Sequence, residues 1–298
     1  MAEKDMNSKV LEELNDVFSD ISNVLLFNGN EVISENDLSE TTTHSNYTAN
    51  GKIREQERDV AKYWNNSEIR IAKVGFENET EDEPDMPLRV LNYDAAGYRA
   101  QFSPINSNPR FPVITLVLYF GYKHHWNKAK TLYERVDVPK ELAPFVNDYR
   151  INLFEIAYLT DEQVAMFKSD FKFVADYYVQ MRKNGKYIPP TDEIKHVSEL
   201  LGMMSALTHD NRFVESYDKL KGKERVNMCE VLDEVEARGI AIGTEKGIAI
   251  GTEKGIAKGE DRLSKLITIL LEKNDNSAIA LVTSDKKTRD EYYKKYNL

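Results

Sequence analysis

Cysteine is almost absent: Cys229 alone among 298 residues excludes any disulfide within the chain. No apolar stretch near the amino terminus is flanked as a secretion signal would be, so the expected compartment is the cytoplasm. Long apolar runs are also missing. The longest, from Phe111 to Tyr122, is shorter than the roughly 20 residues of a membrane helix and reads as a buried strand, so no membrane partner is expected. Positive charge is in deficit, with 40 Lys and Arg against 50 Asp and Glu, and the net charge of -10 repels nucleic acid at long range. Contacts to phosphate would have to come from local clusters acting within a Debye length of about 8 Å. Lys52, Arg54, Arg58, Lys62, Arg70 and Lys73 form one such cluster, and Lys123, His124, His125, Lys128 and Lys130 another. Taken singly, each reads slightly better as a solvated surface charge. His124-His125-Trp126 has no zinc-ligand spacing of cysteines or histidines around it, which argues against a zinc site.

What is present argues for a folded chain. Hydrophobic residues make up 41% and aromatics 10%, enough for one sizeable core plus a second element, while 30% charged residues and a mean hydropathy of -0.56 indicate much exposed helix surface.

The stretch from Gly51 to Phe102 carries the candidate chemistry. Ile53 to Tyr63 reads as a strand, Asn65-Asn66-Ser67 as a turn, and the run from Ile69 as a second strand. Side chains alternate along a strand, so Glu77 and Glu79 share one face and Asn78 takes the other. With Asp59 facing the same way, three carboxylates would converge. Like charges held that close need a cation or protons, and hard divalent ions prefer carboxylate oxygens. The competing reading is a solvated acidic hairpin.

The segment Arg58-Asp59-Val60, then Gly75-Phe76-Glu77-Asn78-Glu79-Thr80, then Pro87-Leu88-Arg89 with Tyr93 and Tyr98, resembles the core of the recombination-promoting nuclease and putative transposase family. That family belongs to the PD-(D/E)XK nuclease superfamily. The strand Val113 to Phe120 running into Gly121 and Trp126-Asn127, the strand Ile151 to Leu159 and the glycine-rich tail fit the same order. The resemblance implies an α/β fold, a restriction-endonuclease-like mixed sheet flanked by helices with an all-helical C-terminal extension. It also implies a magnesium-dependent DNA endonuclease, with manganese as the alternative ion. In the superfamily an aspartate at the end of one strand and an acid-x-lysine on the next hold the metal, and in this family glutamine usually replaces the lysine; Glu79 departs from both. Asp59 and Glu77 would bind the metal, Glu79 would orient water or bind a second ion, and an acid of the first helix, Asp20 in preference to Asp16, would assist. Arg58, Lys62, Lys73, Arg89 and Lys123 would hold phosphates. The alternative function is a degenerate nuclease fold serving as a DNA-binding or self-assembly module.

In chain order, Val10 to Phe27 is an amphipathic helix, and Ser34 to Asn50 reads as a loop with room for a short helix. Leu88 to Phe102 reads as a helix after the acidic loop 81–87. Glu155, inside an apolar run, needs a partner such as Arg150. Thr160 with Gln163 has the spacing of a capping box opening a helix to about Lys183, which Asn184-Gly185 stops, and another helix is expected from Asp192 to Leu207. The expected division is a nuclease-like domain 1–188, a helical region 189–235, a glycine-repeat helix 236–275 and a short helical tail 276–298. In the repeat, Gly239-Ile240-Ala241-Ile242-Gly243-Thr244-Glu245-Lys246 recurs almost unchanged from Gly247. Glycine every fourth residue costs a helix about 1 kcal/mol each, so the expected helix needs outside support, which the same segment of a second chain (239–259) would supply. A flexible linker is the competing reading of that tail.

Overall fold

The computed structural model describes residues 11–41, 44–49, 52–66, 69–102, 109–223 and 225–298, with backbone alone for 44–49, 52–57, 69 and 71. The chain forms two compact units, one running through Val235 and the other from Glu236 to Leu298.

The first unit is an α/β structure built on a five-stranded mixed sheet. Helix α1 (Asn15–Phe27) precedes β1 (Leu38–Glu40), β2 (His44–Ala49), β3 (Lys52–Glu57), β4 (Val60–Asn66) and β5 (Ile69–Glu79). Then come α2 (Met86–Arg99), β6 (Val113–Tyr119), the short α3 (Leu132–Arg135) and β7 (Asn152–Glu155). The sheet order is β1-β4-β5-β6-β7, and β2 pairs with β3 as a separate two-stranded ribbon. β4 runs antiparallel to both its neighbours, β1 and β5, whereas β6 runs parallel to β5 and β7 to β6. Parallel neighbours need a crossover, which α2 provides between β5 and β6.

Alternation along the strands sorts the sheet's two faces. Val60, Val74, Phe76, Leu116 and Leu118 point into the larger core, where the Phe18 ring of α1 stacks on Phe76 at 4.4 Å between centroids. Each such ring, fully buried, contributes about 1.5–3 kcal/mol. Val117 and Tyr119 point the other way, against Met86 and Val90 of α2 and Trp126. Gly97 of α2 lies so close to β6 that a Cβ there would sit 2.8 Å from the Val113 side chain, which fixes how tightly the helix lies on the sheet.

The larger core is completed by α4 (Asp161–Met166), α5 (Phe171–Asn184), α6 (Val197–Thr208) and α7 (Arg212–Leu220). Several expected boundaries move. Ile53 to Tyr63 breaks at Arg58-Asp59 into two strands, and the presumed loop 34–50 contains β1 and β2. The capping box at Thr160 and Gln163 forms, but its helix ends at Met166 and a second begins at Phe171. The strand expected to Leu159 stops at Glu155, and the helix expected from Asp192 starts at Val197.

A 45-residue helix, α8 (Met228–Glu272), leads into the second unit. There α9 (Asn276–Ser284) and α10 (Lys286–Tyr296) fold back on its end, burying Leu266, Leu270, Ala278, Val282 and Tyr293. Along the repeat, by contrast, Ile240, Ile242, Ile248, Ile250 and Ile256 are exposed. Among the described residues, no helix is long and apolar enough to cross a membrane.

Candidate active site

The break between β3 and β4 puts Asp59 one residue before Val60, which pairs with Phe76, so Asp59 arrives beside the Glu77 end of β5. The Asn78 backbone N–H donates to Asp59 Oδ2 at 2.8 Å. Glu77 and Glu79 share the α2 face, where the Arg89 guanidinium spans them: Nη2 donates to Glu77 Oε2 and Nη1 to Glu79 Oε1, both at 2.8 Å. Asn78 points to the opposite face and its Nδ2 donates to Glu12 Oε2 at 2.6 Å.

Glu12 is the acid that sequence reasoning missed. It sits in a helical turn, 11–13, separated from α1 by Leu14, whose extended backbone (φ -71°, ψ 130°) redirects that turn toward the end of the sheet. Leucine is a good helix former, and neither glycine nor proline marks the break, so no local signal announces it.

Four carboxylates thus gather at one end of β5, and two are withdrawn from water, Glu12 at 0% exposure and Glu77 at 1%. The Oε1 atoms of both are buried without a hydrogen-bond partner. Burial, with the field of Asp59 adding to it, pushes the Glu12 and Glu77 carboxyls up to about 8. Burial raises Glu79 to about 7 against the opposing pull of Arg89. Among the described residues no group of three acids, histidines or cysteines surrounds a single point as a metal shell would. Arg89 occupies one oxygen of Glu77 and one of Glu79, and Asn78 one oxygen of Glu12.

These shifts fix a pH dependence. Folded Glu12 and Glu77 keep their protons up to about 8 and Glu79 to about 7, whereas unfolded they release them near 4.5. Between those values the unfolded chain binds fewer protons, so this contribution is complete below about 4.5 and is lost as pH rises toward 8. In chelator, the melting temperature should fall by several degrees from pH 5.5 to 8.5, and magnesium or manganese should restore more of it at 8.5. A melting temperature that rises over that interval would show that these acids are not buried together.

The remaining expected site residues lie as follows. Asp20 is not in the cluster: its Oδ2 accepts from the backbone of Lys168 and Ser169 at 2.9 and 2.8 Å, tying α1 to the turn before α5. Asp16 is held by Lys195 and His196 at 2.5 and 3.0 Å. Arg58 is 2% exposed and Lys62 1%, so neither presents its charge to a phosphate; Lys62 pairs with Glu40. Lys73 is part-buried four residues before Glu77 along β5, about 13 Å away at strand rise. Burial draws its pKa down to about 8. Lys123 is exposed at the rim of a cleft beside the acids. Glu155 pairs with the Trp126 backbone at 2.7 Å and His125 at 3.1 Å rather than with Arg150. Lys52 and Arg54 have side chains outside the described residues.

Arg58 instead supports the site from beneath. Its Nη2 donates to Asp94 Oδ1 at 3.0 Å, and Asp94 also accepts from Thr115 at 2.6 Å and from the Tyr149 hydroxyl. A Cβ on Gly75 would fall 2.3 Å from Arg58 Cδ, so glycine there makes room for this guanidinium under β5. No family model matches the chain, and neither a curated protein nor a solved structure matches it.

Proposed function

We propose that the chain is a divalent-metal-dependent DNA endonuclease of the PD-(D/E)XK kind, related to the recombination-promoting nucleases and transposases. The observation that carries this reading is the cluster of Asp59, Glu77, Glu79 and Glu12. Burying two of these acids beside the others is destabilising at neutral pH, and a cation would remove that cost. In kind the donors suit magnesium or manganese, being carboxylate oxygens of which two are buried and unpartnered, although among the described residues they do not surround one point as they stand. Asp59 and Glu77 would hold the ion, with Glu12 in the assisting place first given to Asp20. When bound, such an ion supplies Lewis acidity toward the scissile phosphate and acidifies a water. Glu79, raised to about 7, accepts the attacking water's proton near neutral pH. Arg89, released from Glu79, pairs with the phosphate as a fork. The cytoplasm stays the proposed location on the composition alone. Supercoiled plasmid incubated with the protein and magnesium or manganese should be nicked, and an Asp59→Ala control should not nick it; equal nicking by both would sink the assignment.

A second reading rests on Arg89, whose guanidinium already bridges Glu77 and Glu79 in the place a cation would take. On that reading the fold is catalytically degenerate and binds DNA or assembles. Glu79→Gln and Glu79→Lys separate the two: either change gives cleavage to an inactive wild type if the site is degenerate, whereas both lower activity if Glu79 acts in catalysis.

For self-association, the repeat offers a pairing of two copies. Positions four apart advance only about 40° around a helix, so Gly243, Gly247 and Gly251 trace one slowly winding stripe along which a second copy could lie close. Ile240, Ile248 and Ile256 flank that stripe and are exposed, and a Cβ on these glycines meets nothing within 4 Å in the single chain. Replacing Gly243, Gly247 and Gly251 with leucine should hold or raise helicity by circular dichroism while light scattering falls from dimer to monomer mass. A wild type that is monomeric at high micromolar concentration returns the repeat to a solvated connector.

A further inference from the structure

Where β5 and β6 end, the Phe120 N–H donates to the Glu79 carbonyl at 2.8 Å, and directly beyond this link lies a cleft of about 620 Å³. Thr80 and Glu81, the residues after Glu79, form one wall, the end of β6 from Tyr119 to His124 another, and Tyr177 of α5 with His209 after α6 the third. Its volume falls in the range of small-ligand sites, about 300–1,000 Å³. It also occupies the crevice outside the carboxyl ends of parallel strands, where open α/β sheets commonly bind ligands.

The walls favour a flat, uncharged ligand over a phosphate. Tyr177 packs edge-on against Tyr178 at 5.2 Å, and Tyr122 lies 6.1 Å from the same ring, so part-exposed ring faces are held by a rigid aromatic base. His124 and His209 add exposed imidazoles. A carbonyl oxygen can only accept, so the His124 Nδ1 contact to the His125 carbonyl at 3.0 Å places a proton on Nδ1 and leaves Nε2 of the neutral ring as an acceptor. Glu81, exposed at the rim, repels a phosphate backbone, while Lys123 offers the rim one cation. Base–aromatic stacking tolerates any base, because every base has a π face.

We infer that this cleft takes an unpaired nucleobase of the strand whose phosphate lies at the carboxylates, so that the substrate is DNA with a single-stranded or extruded nucleotide beside the scissile bond. The inference rests on the nuclease reading and deepens it. A base inside duplex DNA cannot enter such a cleft without being turned out of the stack, which costs least where the base is already unpaired. The link at Glu79 and Phe120 places the two sites side by side, within the reach of neighbouring nucleotides on one strand.

The test uses the full chain in chelator, with fluorescently labelled single-stranded oligonucleotides read by anisotropy, and compares an intact strand with one carrying an abasic site at each position in turn. An abasic site keeps the phosphates and removes only the base. One abasic position should weaken binding about tenfold, the size of one lost stacking contact. His209→Asn removes an imidazole while tolerating the left-handed backbone at that position (φ 56°), and Tyr177→Leu removes a ring face. Each variant should lose affinity for the intact strand and become less sensitive to the abasic site. His209→Asn stays informative if Tyr177→Leu fails to fold. Equal affinity of wild type for intact and abasic strands at every position, or full abasic sensitivity in the folded variants, overturns the inference, as does the absence of any binding. The outcome is separable from the nuclease reading: metal-dependent nicking without abasic sensitivity defeats only the cleft, and abasic sensitivity without nicking defeats only catalysis.

Discussion

Glu77→Gln should slow plasmid nicking by about a hundredfold to a thousandfold, the range seen when one preorganised electrostatic contact in a catalytic centre is lost. The same change should stabilise the protein at pH 8 in chelator. Both effects have one origin. Glu77 is 1% exposed, and burial pushes its carboxyl up to about 8, so near that pH the fold must hold either a buried charge or a proton it would give up in water. Glutamine has nearly the same shape, its amide oxygen can accept from Arg89, and it carries no charge to desolvate. It also lacks the negative charge that makes a carboxylate the stronger ligand for a divalent ion. Thermal melts in chelator at pH 8, with nicking assays in magnesium, read the two effects separately. A variant that is slower and less stable would make Glu77 a structural partner of Arg89 alone, and one that nicks at the wild-type rate would remove it from the site.

This opposition between stability and chemistry bears on how much the sequence could disclose. The pairing of Glu77 with Glu79 was legible because strand periodicity is local, and both do share the Arg89 face. The α/β class was legible for the same reason: apolar runs at Val74, Val113 and Ile151 were long enough to read. Glu12 was not. It belongs to the row Glu12, Asp16 and Asp20, spaced one turn apart in an unbroken helix, and the extended backbone at Leu14 takes it out of that row. Cation positions misled for a different reason. A lysine or arginine in sequence carries no mark of whether its charge faces water, and Arg58 and Lys62 both turned out to be enclosed with acids from elsewhere in the chain, Asp94 and Glu40. Only tertiary register shows that. β1 and β2 were hidden because short polar strands lack the apolar alternation that identifies a half-buried one.

Asp94→Ala should destabilise the first unit by about 3–5 kcal/mol, the usual cost of leaving one member of a buried ion pair alone. Arg58 has no water to turn to, being 2% exposed with its Nε already unpartnered, and Thr115 and Tyr149 lose their acceptor in the same step. Against a total of about 5–15 kcal/mol for a typical domain, that loss should lower the melting temperature by about 10 °C and shift the urea midpoint at unchanged slope. Asp94→Asn should cost less, since its amide oxygen can still accept. Arg58→Met combined with Asp94→Leu should recover much of the loss, because removing both charges also removes their desolvation. That double variant isolates what Arg58 does for the site. The positive charge of Arg58 lies within the field of Glu77, so losing it should push the Glu77 carboxyl further up and move the pH dependence of nicking toward higher pH. A double variant as unstable as Asp94→Ala would mean that packing around the guanidinium, not its charge, is what this layer supplies. One that regained stability and kept the wild-type pH profile would separate Arg58 from the chemistry above it.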